Sequence, residues 1–128
     1  MLSVGLTTAP SPAEVTRIGN VEIRPAELQV LIDGRRAGLT VREFELFCVL
    51  AFRFDRVVPR RQIYQLVWGG ATMPHRDRSV DVFVRKVRRK LAAVAPEWEF
   101  IHTHFGIGYR FAPLPLDDPA DQLTPRGV

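Results

Sequence analysis

The sequence predicts an α+β fold in which a small antiparallel sheet leads, three helices follow and a β-hairpin comes last. Three observations predict it. Asp33-Gly34 separates two extended apolar segments, the composition of a tight hairpin turn. Thr40 and Glu43 head a run of helical periodicity at the spacing of a reciprocal capping box. The stretch from Arg76 to Leu91 is amphipathic at about 100° per residue, and two glycines further on, Gly106 and Gly108, divide a pair of short apolar segments. At 128 residues and 46% hydrophobic content the chain has material for one core.

The elements follow in order. Residues 1–15 are small, polar and Pro-containing without sustained periodicity, and read as a flexible N-terminal segment or linker. Val21 and Ile23 alternate with Glu22 and Arg24, and an apolar run from Leu28 to Ile32 meets the Asp33-Gly34 turn before Arg35 to Leu39, which gives two or three short strands. After the capping box, Phe44, Phe47, Cys48 and Ala51 recur at helical spacing, and Leu46 and Leu50 widen the face. The pattern breaks between Arg53 and Val58. Pro59 suits the first turn of a second helix, which carries Ile63, Leu66 and Val67 and stops near Gly69-Gly70. Gly70 to Asp77 is a long connection for two helices of one compact unit.

The third helix carries the strongest functional signal. Val80, Val84, Val87 and Leu91 form one apolar stripe with Phe83 on its flank, while Arg78, Val82, Arg85, Lys86 and Arg89 occupy the other side. A helix that docks by one face and presents a row of cations on the other suits a polyanion with regularly spaced phosphates. Phe100 to His104 and Tyr109 to Phe111 then read as the two strands of the hairpin, and residues 113–128, rich in Pro and Asp, as a disordered tail. This makes residues 16–112 the folded domain.

The net charge is only +4, but the distribution is uneven. The cations gather between Arg53 and Lys90, while Asp117, Asp118 and Asp121 lie in the tail. The single Cys48 has no intramolecular disulfide partner, no signal-peptide pattern opens the chain and no apolar run approaches the roughly 20 residues of a membrane helix. These features point to a cytoplasmic location with no membrane association. No catalytic constellation is visible: Cys48 falls on an apolar helix face, and Asp117-Asp118 sit where nothing would hold them. His75, His102 and His104 are joined by no cysteine, so neither a metal nor a cofactor is expected.

Taken together, this order of elements resembles the OmpR/PhoB-type winged helix-turn-helix domain of bacterial response regulators. Leu39-Thr40 with Glu43-Phe44 is similar to the opening of that family's first helix, and Val67-Trp68-Gly69 to the end of its second. Arg78-Ser79-Val80-Asp81-Val82 with Val87-Arg88-Arg89-Lys90-Leu91 resembles its recognition helix, and Thr103 with Gly106 to Phe111 its wing. The resemblance covers roughly Ile18 to Ala112. It implies a four-stranded N-terminal sheet, a three-helix core and a C-terminal wing, with the third helix entering the major groove of double-stranded DNA to regulate transcription. A bacterial cytoplasmic protein, at the nucleoid when bound, fits that role.

By position, Arg85, Lys86 and Arg89 are the expected groove and phosphate contacts, supported by Arg78, Ser79 and Arg88, and Val82 faces a thymine methyl. Lys86 stands where members of the family place a base-reading arginine, and it lacks the bidentate fork. Arg60 and Arg61 either contact phosphates from the start of the second helix or only solvate that end. On the wing the candidates are Thr103, His104, Phe105 and Tyr109. Phe105 stands where many members carry a minor-groove arginine, and either packs against sugar edges, acts as a small wedge or packs the wing. Asp81 either orients Arg85 or favours the positive start of its helix. Protonation of His102 and His104 near phosphates would raise affinity below about pH 6.5. The resemblance further implies contact between the Gly70 to Asp77 loop and RNA polymerase, and a second protomer on tandem direct-repeat sites. A module that docks proteins rather than DNA, or one that binds structured RNA, is the competing reading.

Overall fold

The computed structural model describes residues 14–70 and 72–116. Four strands come first: β1 (Thr16–Ile18), β2 (Val21–Arg24), β3 (Gln29–Ile32) and β4 (Arg35–Arg36). They form an antiparallel sheet in sequence order. Its register places Val21 opposite Ile32 and Ile23 opposite Val30, so the alternation puts all four apolar side chains on the buried face. Asp33 and Gly34 both take positive φ, 50° and 81°, as a two-residue turn matched to strand twist demands. The front sheet thus has four strands where the alternation alone gave two or three.

Helix α1 (Val41–Ala51) begins as its sequence dictates. The Glu43 amide donates to the Thr40 hydroxyl at 3.3 Å, and the Thr40 amide donates to the Glu43 carboxylate at 2.8 Å. That carboxylate is buried and also receives the Lys90 ammonium at 2.7 Å. Burial opposes its charge, but Lys90 and the Thr40 amide together hold the Glu43 carboxyl below the usual range. Thr40→Ala removes one half of the box and is expected to lower stability by about 1 kcal/mol. An unchanged urea midpoint would contradict this. Cys48 lies half-buried, and burial followed by the charge of Glu45 pushes its thiol up to about 12, which leaves it unreactive.

The break after α1 contains an element that the sequence pattern concealed. Val57–Pro59 forms strand β5, and α2 (Arg60–Trp68) follows it directly with Pro59 as its N-cap. Pro59 is therefore the last residue of an edge strand rather than a first-turn helical residue, a place where its missing N–H is tolerated. The α2 C-terminus is closed by Gly69 at φ 77°. Helix α3 spans Ser79–Val94.

Strands β6 (Trp98–His104) and β7 (Gly108–Pro115) make the C-terminal hairpin, and β5 pairs with β7 to give a second sheet of order β5-β7-β6. Strand β7 runs past the expected domain limit at residue 112. A bulge between Glu99 and Ile101 resets the register so that Leu114 pairs with Glu99 and Pro115 with Trp98. Pro113 and Pro115 fit because β5 has already ended at the level of Arg110, which leaves that side of β7 open. The rest of the expected tail and residues 1–13 lie outside the described residues. One apolar core, including Phe47, Leu50, Ile63, Val84 and Phe111, joins both sheets and all three helices. No helix among the described residues is long and apolar enough to cross a membrane.

Candidate nucleic-acid interface

Helix α3 divides as its periodicity predicts. Val80, Val84, Val87 and Leu91 are fully buried, and Arg78, Val82, Arg85 and Arg89 are exposed on the outside. Lys86 is half-buried, with its ammonium 4.8 Å from the centre of the Phe83 ring. Phe83 in turn meets the edge of Trp68, so the start of the basic face rests on the end of α2.

The position of α3 is set by a hub that no local pattern announces. Arg60 at the start of α2 grips the Asp81 carboxylate with two donors, Nε to Oδ1 at 3.0 Å and Nη2 to Oδ2 at 2.5 Å, and reaches the Asp77 carbonyl at 3.3 Å. The Tyr109 hydroxyl of β7 donates to Asp81 Oδ1 at 2.6 Å. One carboxylate on α3 thereby ties together α2, α3 and the wing. Burial opposes its charge, yet the bonds from Arg60 and Tyr109 hold the Asp81 carboxyl below its ordinary range. Burial, then the same bond, pushes the Tyr109 phenol up to about 12. Asp81 does not orient Arg85; its partners come from outside its own helix. Asp77 accepts the Ser79 amide at 2.7 Å and so satisfies one of the free donors at the start of α3.

A second anchor lies further along. The Arg88 guanidinium donates twice to the Ile101 carbonyl, at 3.1 and 2.9 Å, and once to the Thr103 hydroxyl at 2.5 Å, while it lies over the Tyr109 ring at 5.5 Å. Of the residues expected to meet a partner, Arg60, Arg88, Thr103 and Tyr109 are therefore engaged within the molecule. Arg61, Arg85 and Arg89 are exposed and have no hydrogen bond or ion pair among the described residues.

The wing tip is the turn Phe105-Gly106-Ile107, closed by the Ile107 amide on the His104 carbonyl at 2.9 Å. Phe105 is 91% exposed, so it does not pack the wing. His104 Nε2 accepts from Arg110 Nε at 3.0 Å, which requires that nitrogen to be unprotonated. His102 bonds the Ala112 carbonyl at 2.8 Å beside the β6 bulge, with its side chain largely covered. The two histidines thus have separate intramolecular partners.

Between the wing, the start of α2 and the loop before α3 lies an open cleft of about 1230 Å³. Arg61, Arg76 and Arg78 line it, together with Phe105 and Ile107. Arg76 and Ile107 were not singled out by sequence. Arg76 was expected to open the third helix, but α3 begins at Ser79, and Arg76 lies in the loop before it with a backbone φ of 62° that residue type does not foretell.

Comparison with known proteins places this geometry among relatives. Residues 34–111 match the family model described as "Transcriptional regulatory protein, C terminal". The transcriptional regulatory protein CreB of Escherichia coli is 35% identical over 99 residues, covering 77% of this chain and 43% of that protein. PrrA of Mycobacterium tuberculosis is 35% identical over 103 residues, covering 80% and 43%. The chain spans less than half the length of these relatives. Among solved structures, the Klebsiella pneumoniae RstA DNA-binding domain in complex with the RstA box has a TM-score of 0.69 at 31% identity, covering 79% of this chain and 99% of that one. The DNA-binding domain of CpxR from E. coli has a TM-score of 0.67 at 26% identity, covering 77% and 95%.

Proposed function

The chain belongs to the family of transcriptional regulatory protein C-terminal domains of the OmpR/PhoB type, and from that membership we propose that it binds double-stranded DNA sequence-specifically to regulate transcription. The observation that carries the reading is the outer face of α3, where Arg85 and Arg89 stand exposed without a partner among the described residues while Asp81 and Arg88 fix the helix against the wing. Free cations on a rigidly held convex helix suit the major groove and its bordering phosphates.

Roles divide by engagement. Arg85 and Lys86 read base edges, Val82 meets a thymine methyl, and Arg78, Ser79, Arg89 and Arg61 hold phosphates. Arg60, Arg88, Thr103 and Tyr109 are positioning residues, since their polar groups have partners inside the fold. The loop from Gly70 to Asp77 is the proposed contact with RNA polymerase, and a second protomer occupies the adjacent half of a direct repeat. That pairing requires selected sites to repeat at about one helical turn.

The test is selection of duplexes from a random pool followed by shift assays. Arg85→Ala is expected to weaken binding to the selected duplex about tenfold and to relax the sequence preference at one position. Arg89→Ala is expected to weaken all duplexes alike and reduce the salt slope by about one unit. Failure to enrich any sequence, or binding that does not respond to salt between 50 and 200 mM, would reject the reading.

A further inference from the structure

Phe105 and Ile107, at 91% and 58% exposed, are the two most exposed large hydrophobic side chains among the described residues, and they sit together on the wing tip. No cation of the wing is free to serve that tip. Arg110 is held by His104 and Asp55, and Arg88 of the neighbouring α3 by Ile101 and Thr103. The side chains at the tip itself carry no charge. Its mounting is nevertheless stiff. The Arg60 amide donates to the Ile107 carbonyl at 3.3 Å, Gly108 pairs with both His104 and Pro59, and Gly108 lies so close to Val58 that no Cβ fits. A floppy loop would fold its phenyl ring back onto the protein; this one holds the ring out in water.

The surroundings specify the occupant. The cleft beside the tip is lined by Arg60, Arg61, Arg76 and Arg78 against Asp77 and Asp81, with Arg60 bound to Asp81, so its surface is basic on balance; it attracts a phosphate backbone and leads it to an apolar point. Resting on the DNA-binding reading above, we infer that Phe105 enters the minor groove and partly unstacks one base step, with Ile107 against the adjoining sugar, so that the wing bends the duplex. Apolar wedges act in this way by unstacking a step and bending the duplex towards the major groove. The step opened is a pyrimidine–purine step, the kind that kinks most easily. Phe105 thereby supplies sequence preference at a position where the protein makes no hydrogen bond.

The experiment uses the full chain and a duplex it has selected from a random pool, with 2-aminopurine at the wing-proximal step and a donor and acceptor dye at the two ends. The wild type is expected to raise 2-aminopurine fluorescence and to bring the ends together. Phe105→Ala is expected to lose both signals and about tenfold in affinity while the salt slope stays unchanged, because a neutral contact releases no counterions. Phe105→Leu is expected to retain part of the bend. Replacing the TpA or CpA step by ApA is expected to weaken the wild type and leave Phe105→Ala indifferent. A bound duplex that stays straight and stacked, or a Phe105→Ala variant that bends it as the wild type does, overturns the wedge and leaves the DNA-binding reading intact. Loss of a protein complex or of self-association in a Phe105→Ala variant that still bends DNA assigns the tip to a protein and also overturns it. If no duplex binds, both readings fail.

Discussion

Gly108→Ala is expected to lower stability by about 3 kcal/mol, which at roughly 4–8 °C per kcal/mol brings the melting temperature down by about 12 to 24 °C. The reason is backbone contact. A Cβ at Gly108 would lie 2.0 Å from the Val58 carbonyl oxygen, 2.8 Å from its carbon and 2.9 Å from Pro59 Cα. No rotamer change relieves a clash with main chain, so β5 must separate from β7. That breaks the pairs Val57↔Arg110, Val58↔Tyr109 and Pro59↔Gly108 and uncovers Val58 and Tyr109, which are 2% and 7% exposed. Gly106→Ala is the control. A Cβ there meets nothing within 4 Å, but its φ of 78° is strained for any L side chain, and about 1 kcal/mol is expected. Thermal melts of the two variants decide it: a Gly108→Ala protein that melts with the wild type, or above Gly106→Ala, contradicts the packing argument.

The contrast between the two glycines shows where sequence suffices. Gly106 is legible because its role is local, a turn residue between two strands. Gly108 looks the same in sequence, but its necessity comes from β5, a three-residue strand that exists only through pairing with residues some fifty positions later. The α1 start was legible for the local reason too, since Thr40 and Glu43 cap each other within one turn. The Glu43–Lys90 pair was not, because its partners are 47 residues apart. Charge counting does not tell a bonded arginine from a free one, and so it gathered Arg60 and Arg88 with Arg61, Arg85 and Arg89 although the first two have partners within the fold. For Arg88 a signal was present: on a helical projection it falls about 40° from Val84, on the margin of the buried stripe rather than opposite it. Nothing comparable marks Arg60, whose partner Asp81 is 21 positions away, or Tyr109, 28 from the same carboxylate. The exposed face of α3 was readable from period and residue type, whereas the hub that aims it required the third dimension.

Asp81→Asn tests that hub, and its effect is expected on stability, pH response and specificity together. The amide keeps the shape but loses the charge, and in either orientation it places an N–H₂ group against the Arg60 guanidinium, in one of them against the Tyr109 hydroxyl as well. A fully buried pair broken on one side loses about 3 to 5 kcal/mol; Arg60 and Asp81 retain 34% and 22% side-chain exposure, so about 2 to 3 kcal/mol is expected at pH 7. The Asp81 carboxyl titrates below its ordinary range in the folded protein, so its contribution is complete above the unfolded value near 4 and is lost as pH falls through the lower folded value. The stability gap between wild type and Asp81→Asn should therefore hold from pH 7 to about 5 and close below about 4, measured by urea denaturation across that series. For binding, the wing and α3 would no longer share one anchor. Affinity for a selected duplex should fall more than affinity for random DNA, since attraction to phosphates tolerates a misaligned helix and base reading does not. The salt slope should stay unchanged because no phosphate contact is removed. A variant with equal losses on both duplexes, or with a gap that widens in acid, would show that Asp81 does not aim the helix.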